Sequence, residues 1–109
     1  MEQLIELARQ LGKQIASHQR TVLLREARKK LESDPEAKKL LADYHQHVEK
    51  IQTLERNQQP IEVADKHKLQ ELNDKIAAHE GLQELTRRHT DYIEMMRRVN
   101  QALGEQIET

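Results

Sequence analysis

The sequence has 109 residues, and among them there is no cysteine, no phenylalanine and no tryptophan. Without cysteine, the chain cannot form disulfides, thiolate nucleophiles, cysteine-ligated zinc sites or cysteine-held iron–sulfur clusters. Aromatic residues make up only 2 % of the chain, so Leu and Ile must supply most of the buried apolar surface. The scarcity of aromatics also argues against binding of single-stranded nucleic acid by base stacking.

Glycine and proline are rare too, with three and two copies. Three scattered glycines give no glycine-rich phosphate loop. No apolar run approaches the roughly 18–20 residues that a membrane-spanning helix needs, so we expect no membrane association. The N-terminal segment is acidic and amphipathic, unlike a signal or transit peptide. We therefore expect a soluble, cytoplasmic protein.

Charge is plentiful but balanced, since 34 % of the residues are charged and the net charge is −1. This balance argues against a protein that is held on nucleic acid by bulk charge. One segment, residues 20–39, has seven basic residues against four acidic ones. We interpret it as a solvated helix face with ion pairs, and a patch for an anionic partner is the alternative.

Apolar residues recur at helical spacing along most of the chain, and no strand or hairpin pattern occurs. Ser33, Asp34 and Pro35 mark a helix start, because Asp34 can cap the backbone N–H groups and proline is favoured at the first helical position. A helix then continues to about Gln58. The sequence leaves open whether the first helix bends near Ser17.

A repeat of 45 residues relates residues 24–58 to residues 69–103. Each copy predicts a helical stretch, a break and a longer helix, with the breaks around Asp34–Pro35 and Glu80–Gly81. The polar segment 57–61, which contains Pro60, predicts the linker between the copies. We expect an all-α fold: an antiparallel helical bundle of long amphipathic helices with this internal pseudo-repeat, in a single domain over residues 1–109.

The apolar stripes of the two long helices are narrow, so one chain alone buries little surface. Association is therefore expected, most simply as a homodimer, and a hetero-complex with another protein is an extension of the same idea. Helices with apolar residues at alternating steps of three and four pack side by side in bundles. The predicted interface residues are Leu40, Tyr44, Ile51 and Leu54, which we call the first seam, and Leu85, Tyr92, Met96 and Val99, which we call the second seam.

Six histidines are the main candidates for catalysis or metal binding. His45 and His47 lie two residues apart and so point to different helix faces. The Glu-x-x-His and His-Glu-x-x-His patterns of metal sites are absent. His47 and His89 fall on the apolar stripes, where a hydrogen-bonded interface role is the main interpretation and pH sensing the alternative. We predict no active site, no metal, no cofactor and no small-molecule substrate.

The run Leu31-Glu-Ser-Asp-Pro-Glu-Ala-Lys-Lys-Leu-Leu, preceded by the helix over Ala8–Ile15, resembles the YlbF/YmcA family of small bacterial proteins. The end of the chain, Val99-Asn-Gln-Ala-Leu-Gly-Glu-Gln-Ile, is similar to that family's C-terminal helix. The resemblance implies an all-helical bundle that associates into dimers or larger assemblies. It also implies a non-catalytic regulatory role in competence, biofilm formation, sporulation or RNA processing.

Some complexes of that family carry iron–sulfur clusters on cysteines. Because this chain has no cysteine, the resemblance does not imply a cluster here. The leading hypothesis is thus a non-enzymatic regulator that binds other proteins. The alternative is a nucleic-acid-associated regulator that uses the basic stretch 20–39, with any nucleic-acid contact otherwise indirect.

Overall fold

The computed structural model describes residues 1–108, which form five α-helices. The described residues are 89 % helical and include no strand, which confirms the all-α prediction. In chain order the helices are α1 (Glu2–Ser17), α2 (Gln19–Glu32), α3 (Pro35–Arg56), α4 (Val63–Ala78) and α5 (Glu80–Ile107).

The start of α3 follows the predicted capping pattern. Asp34 is extended, with φ −114° and ψ 97°, and its carboxylate accepts a hydrogen bond from the Ala37 N–H at 3.1 Å. Pro35 occupies the first turn, where its missing N–H costs nothing. The sequence therefore placed this boundary correctly from local chemistry.

The end of α3 is a Schellman-type turn built around Gln58. The N–H of Gln59 donates to the Leu54 carbonyl at 2.8 Å, and the N–H of Gln58 donates to the Glu55 carbonyl at 3.1 Å. Gln58 has a φ of 55°, the left-handed conformation that this turn requires. The turn leads into the predicted linker, and α4 begins at Val63.

The second break lies at His79, within the break that the sequence predicts around Glu80–Gly81. Glu80 and Gly81 are helical, because the His79 side chain caps α5: its Nδ1 accepts the Leu82 N–H at 3.2 Å. The first helical segment, which the sequence left open, is interrupted after Ser17. His18 is extended, with φ −65° and ψ 143°, and separates α1 from α2.

The chain divides into two compact units. Unit 1 comprises residues 1–29 and the chain from Leu85 onward, and unit 2 comprises residues 30–84. In unit 2, α3 and α4 form an antiparallel hairpin, since Lys50 contacts Asp65 near the linker and Asp34 contacts His79 at the other end. The prediction of one domain over residues 1–109 stays a prediction.

The core is small and agrees with the 45-residue repeat. Two pairs of buried residues, Ala27 with Leu72 and Ala37 with Leu82, are equivalent in the two copies. The breaks at Asp34 and His79 are equivalent as well. Leu24 is the remaining fully buried apolar residue of the described chain, and its equivalent, Leu69, is half-buried.

Candidate functional site

The two predicted seams are only half covered by the chain itself. All eight of their residues have intermediate exposure. The structure places the first seam on α3 in unit 2 and the second seam on α5 in unit 1. The role of these residues as an interface stays a prediction, and their partial exposure is the feature that a partner would use.

The half-burial has a simple cause. In unit 2, α4 packs against α3 and covers one side of the α3 stripe, while the remaining side needs further helices, as in a bundle. In the α3 stripe, only Ala37 is fully buried, and its methyl group contributes little area. The longer side chains of the first seam keep part of their surface in water.

A buried acidic residue, Asp65, joins α4 to α3. Lys50 Nζ donates to Asp65 Oδ1 at 2.9 Å, and His47 Nε2 donates to the Asp65 carbonyl at 2.7 Å. The hydrogen bond from Lys50 lowers the pKa of Asp65 below its ordinary value, and it outweighs the opposing effect of desolvation. His47 was assigned by sequence to a hydrogen-bonded position on the stripe, and this contact agrees with that interpretation.

Unit 1 also has a polar contact between two helices. Arg20 of α2 donates to the Asp91 carbonyl of α5 at 3.0 Å. Its guanidinium also lies 3.9 Å from a Glu94 carboxylate oxygen. Sequence reasoning missed both contacts.

The side chains of Asp34 and His79, the residues at the two helix breaks, contact each other in unit 2. His79 Nε2 lies 3.1 Å from Asp34 Oδ2, while each residue also caps its own following helix. Because Nδ1 accepts the hydrogen bond from the Leu82 N–H, a neutral His79 ring carries its proton on Nε2. That N–H then donates a hydrogen bond to the Asp34 carboxylate. The sequence predicted the Asp34 cap but not the histidine cap or this link.

Asp34, Glu36 and His79 have potential metal-ligand atoms within 4.8 Å of one another. A metal on His79 Nε2 would require the ring proton on Nδ1, where it would oppose the Leu82 N–H. The positive N-terminal end of α3 also disfavours a cation next to Asp34. The geometry therefore suits two linked helix caps, and the absence of a metal site stays a prediction.

A groove of about 930 Å³ in unit 2 lies open to solvent beside this link. Its lining includes the apolar residues Leu40 and Leu72 and the charged residues Asp43, Lys68 and Lys75. The lining thus carries both acidic and basic side chains. No helix in the described part of the chain has both the length and the apolar character needed to cross a membrane.

The comparisons with known proteins agree with this helical architecture. A family model described as "Control of competence regulator ComK, YlbF/YmcA" matches residues 4–108. A chain in the X-ray crystal structure of Bacillus subtilis RicA in complex with RicF is similar in fold, with a TM-score of 0.85 and 18 % identity. That match covers 97 % of this chain and 94 % of the other. No curated protein matches the sequence.

Proposed function

The chain belongs to the YlbF/YmcA family, whose model matches residues 4–108, and on that premise we propose that it is a regulatory protein that acts by binding other proteins. Its role would be non-enzymatic and cytoplasmic, in the control of competence, biofilm formation, sporulation or RNA processing. The proposed partners are a second copy of the chain and a different helical protein.

The observation that carries this proposal is the partial exposure of both seams. Eight apolar or aromatic side chains at helical spacing are neither buried nor fully exposed. Covering such a stripe with a further helix lowers the free energy, because the remaining apolar surface is then removed from water. The similar chain in the RicA–RicF crystal structure comes from a complex of two proteins, which supports a protein partner.

A capture experiment with matched variants tests the proposal. Tagged wild-type protein, Met96→Glu and Gln101→Glu are expressed in the native cell, and captured proteins are quantified by mass spectrometry. Met96 lies on the second seam, whereas Gln101 lies on the exposed polar face of the same helix. Circular dichroism confirms that both variants remain helical.

We expect the wild type and Gln101→Glu to enrich the same partner, and Met96→Glu to lose it. The proposal is wrong if no protein is enriched above the level captured by an unrelated helical protein with the same tag. It is also wrong if Met96→Glu retains every partner at the wild-type level while a charge at each other seam position has no effect either.

A nucleic-acid-associated role is the second candidate, and one observation favours it. Unit 1 contains ten Lys and Arg residues against seven Asp and Glu, whereas unit 2 contains eight against twelve. Arg25 and Arg28, in the basic stretch 20–39, are exposed. This role would produce RNA or DNA binding that weakens with salt and with Arg25→Gln/Arg28→Gln. The absence of a mobility shift at low salt would remove it.

A further inference from the structure

A groove of about 450 Å³ lies within unit 1, between the start of α2 and the C-terminal half of α5. Four of its lining residues are on α5 at positions i, i+3, i+4 and i+7, which share one face of a helix. The other two come from the break between α1 and α2 and from the first turn of α2. The lining residues are His18, Arg20, Met95, Arg98, Val99 and Ala102.

The two arginines supply this groove with positive charge and hydrogen-bond donors. Arg98 is exposed, and within residues 1–108 it has no hydrogen bond or ion pair. Arg20 is half-exposed and donates one N–H to the Asp91 carbonyl at 3.0 Å, which leaves further guanidinium N–H groups for another acceptor. A Glu94 carboxylate oxygen lies 3.9 Å from the Arg20 guanidinium, too far for a hydrogen bond.

The third polar side chain of the groove, His18, is also a donor. Its Nδ1 accepts a hydrogen bond from the Arg20 backbone N–H at 3.1 Å. A neutral ring therefore carries its proton on Nε2, which donates and cannot accept. The polar side chains that line the groove thus share one preference, which is for a hydrogen-bond acceptor, and a carboxylate satisfies it best.

The single sign of charge sets this groove apart from others on the chain. The groove in unit 2 combines Asp43 with Lys68, and a groove on α1 is lined by Glu2, Glu6 and Arg9. Among the described residues that line the groove in unit 1, none is acidic. Because the net charge of the chain is only −1, this basic character is local and selects an acidic partner at this place.

The apolar part of the lining favours a protein segment over nucleic acid. Met95 and Val99 are half-buried, so each has apolar surface that a partner can remove from water. Val99 belongs to the second seam, and the flexible thioether of Met95 adapts to different apolar side chains. The described lining residues include no aromatic side chain on which a base could stack.

We propose that this groove binds an acidic amphipathic helix of a different protein. Apolar side chains of that helix contact Met95 and Val99, while its carboxylates pair with Arg20 and Arg98. From Met95 to Ala102 the face extends about 10 Å, which accommodates roughly two helical turns. The proposal rests on the proposed function and specifies the chemistry of the partner.

A second copy of the chain is a poorer match for this groove than an acidic helix is. Each of the five helices carries both acidic and basic residues, so a helix of a second copy would bring positive charge to Arg20 and Arg98 along with its carboxylates. Like charges placed opposite each other oppose binding. A helix whose flanking residues are uniformly acidic meets no such opposition.

Synthetic peptides test the proposal with the full chain. The acidic peptide is a labelled helix with a leucine stripe flanked by glutamates. The basic peptide has lysines in place of the glutamates, and the apolar-free peptide has glutamines in place of the leucines. Affinities are measured by fluorescence anisotropy at moderate salt, with a labelled single-stranded RNA as a further probe. We expect the acidic peptide to bind about 10-fold tighter than the other probes.

Charge reversal at neighbouring arginines locates the binding surface. Arg98 lines the groove, whereas Arg97 is exposed, does not line it and undergoes the same change in charge. Arg98→Glu should weaken binding of the acidic peptide about 10-fold and strengthen binding of the basic peptide. Arg97→Glu should change both affinities by less than about twofold, because salt screens charges outside the contact.

The reversed preference of Arg98→Glu is a result that loss of folding cannot produce. Met95→Gln tests the apolar part and should weaken the acidic peptide without improving the basic one. The proposal is overturned if Arg98→Glu and Arg97→Glu have the same effect, or if the acidic peptide binds no better than the basic one. It is also overturned if the apolar-free peptide or the RNA binds as tightly as the acidic peptide, since charge alone would then explain binding.

Capture from the native cell separates failure of this proposal from failure of the proposed function. A partner that is retained equally by Arg98→Glu and Arg97→Glu, yet is lost with Met96→Glu, overturns only the role of the groove. A partner that is lost with Arg98→Glu and retained with Arg97→Glu supports it. The absence of any specific protein partner for the wild type would instead contradict the proposed function.

Discussion

At the scale of single residues, Gln58 has a clear conformational cost. Its φ of 55° is sterically unfavourable for a residue with a Cβ atom, and glycine adopts it freely. Gln58→Gly should therefore raise the free energy of unfolding by about 1 kcal/mol, measured by urea denaturation. Gln59→Gly, one residue further on, is the control and should not stabilise the protein. A destabilised Gln58→Gly protein would contradict this account of the turn.

Asp65 gives the protein a defined acid dependence. Lys50 lowers the pKa of Asp65 in the folded chain below its ordinary value of 3.8. A carboxylate with a lowered folded pKa contributes stability above its unfolded pKa, and this stability is lost as the pH falls through the folded pKa. The free-energy difference between wild type and Asp65→Asn should thus be constant at neutral pH and shrink below pH 3.8.

The cause of that shift can be checked by titrating Asp65 with NMR. Lys50→Met removes the hydrogen bond and the positive charge, so the pKa of Asp65 should rise toward its ordinary value. Glu71, whose pKa is lowered chiefly by Lys75, is the comparison on the same helix and should titrate unchanged in this variant. A pKa of Asp65 that is the same with and without Lys50 would show that another group sets it.

At the scale of helices, the linked caps at Asp34 and His79 stabilise the N-terminal ends of α3 and α5. Each side chain accepts a backbone N–H of its own helix, and the two side chains contact each other at 3.1 Å. Asp34→Ala should lower the free energy of unfolding by about 1 kcal/mol, as expected for loss of an N-cap. His79→Ala should act in the same direction.

A double-mutant cycle tests the link between the two caps. Because the residues are in contact, Asp34→Ala/His79→Ala should cost less than the two single changes together. Ser17→Ala is a matched control, since Ser17 lies at the end of α1 and bonds only to the Gln14 carbonyl. Strict additivity of Asp34 and His79 would mean that the 3.1 Å contact contributes nothing to stability.

The sequence predicted helix limits where local chemistry decides them. Asp34 with Pro35 is a strong start signal, and Asn57 to Pro60 is a strong stop. The second break was predicted, but the cap by the His79 side chain was not, because an imidazole rarely caps a helix and the nearby Gly81 is the more familiar break signal. The contact between Lys50 and Asp65 was missed because it depends on the register of two helices, which residues 15 apart do not reveal.

At the scale of the whole molecule, the seams were predicted from their spacing and are half-buried as a consequence of it. The repeat also accounts for features that spacing alone does not explain. Ala27 with Leu72 and Ala37 with Leu82 are equivalent in the two copies, and all four residues are buried. The identity of a different partner protein could not be predicted, since it depends on a surface of that protein, which this sequence does not encode.

The central claim is that one chain buries too little apolar surface and is stabilised by association. Thermal unfolding over roughly a hundredfold range of protein concentration tests it most directly, with the molecular mass followed by sedimentation equilibrium. The account predicts a mass that increases toward a dimer and a Tm that rises with concentration. A monomer at every concentration, with a high Tm that does not change, would contradict it.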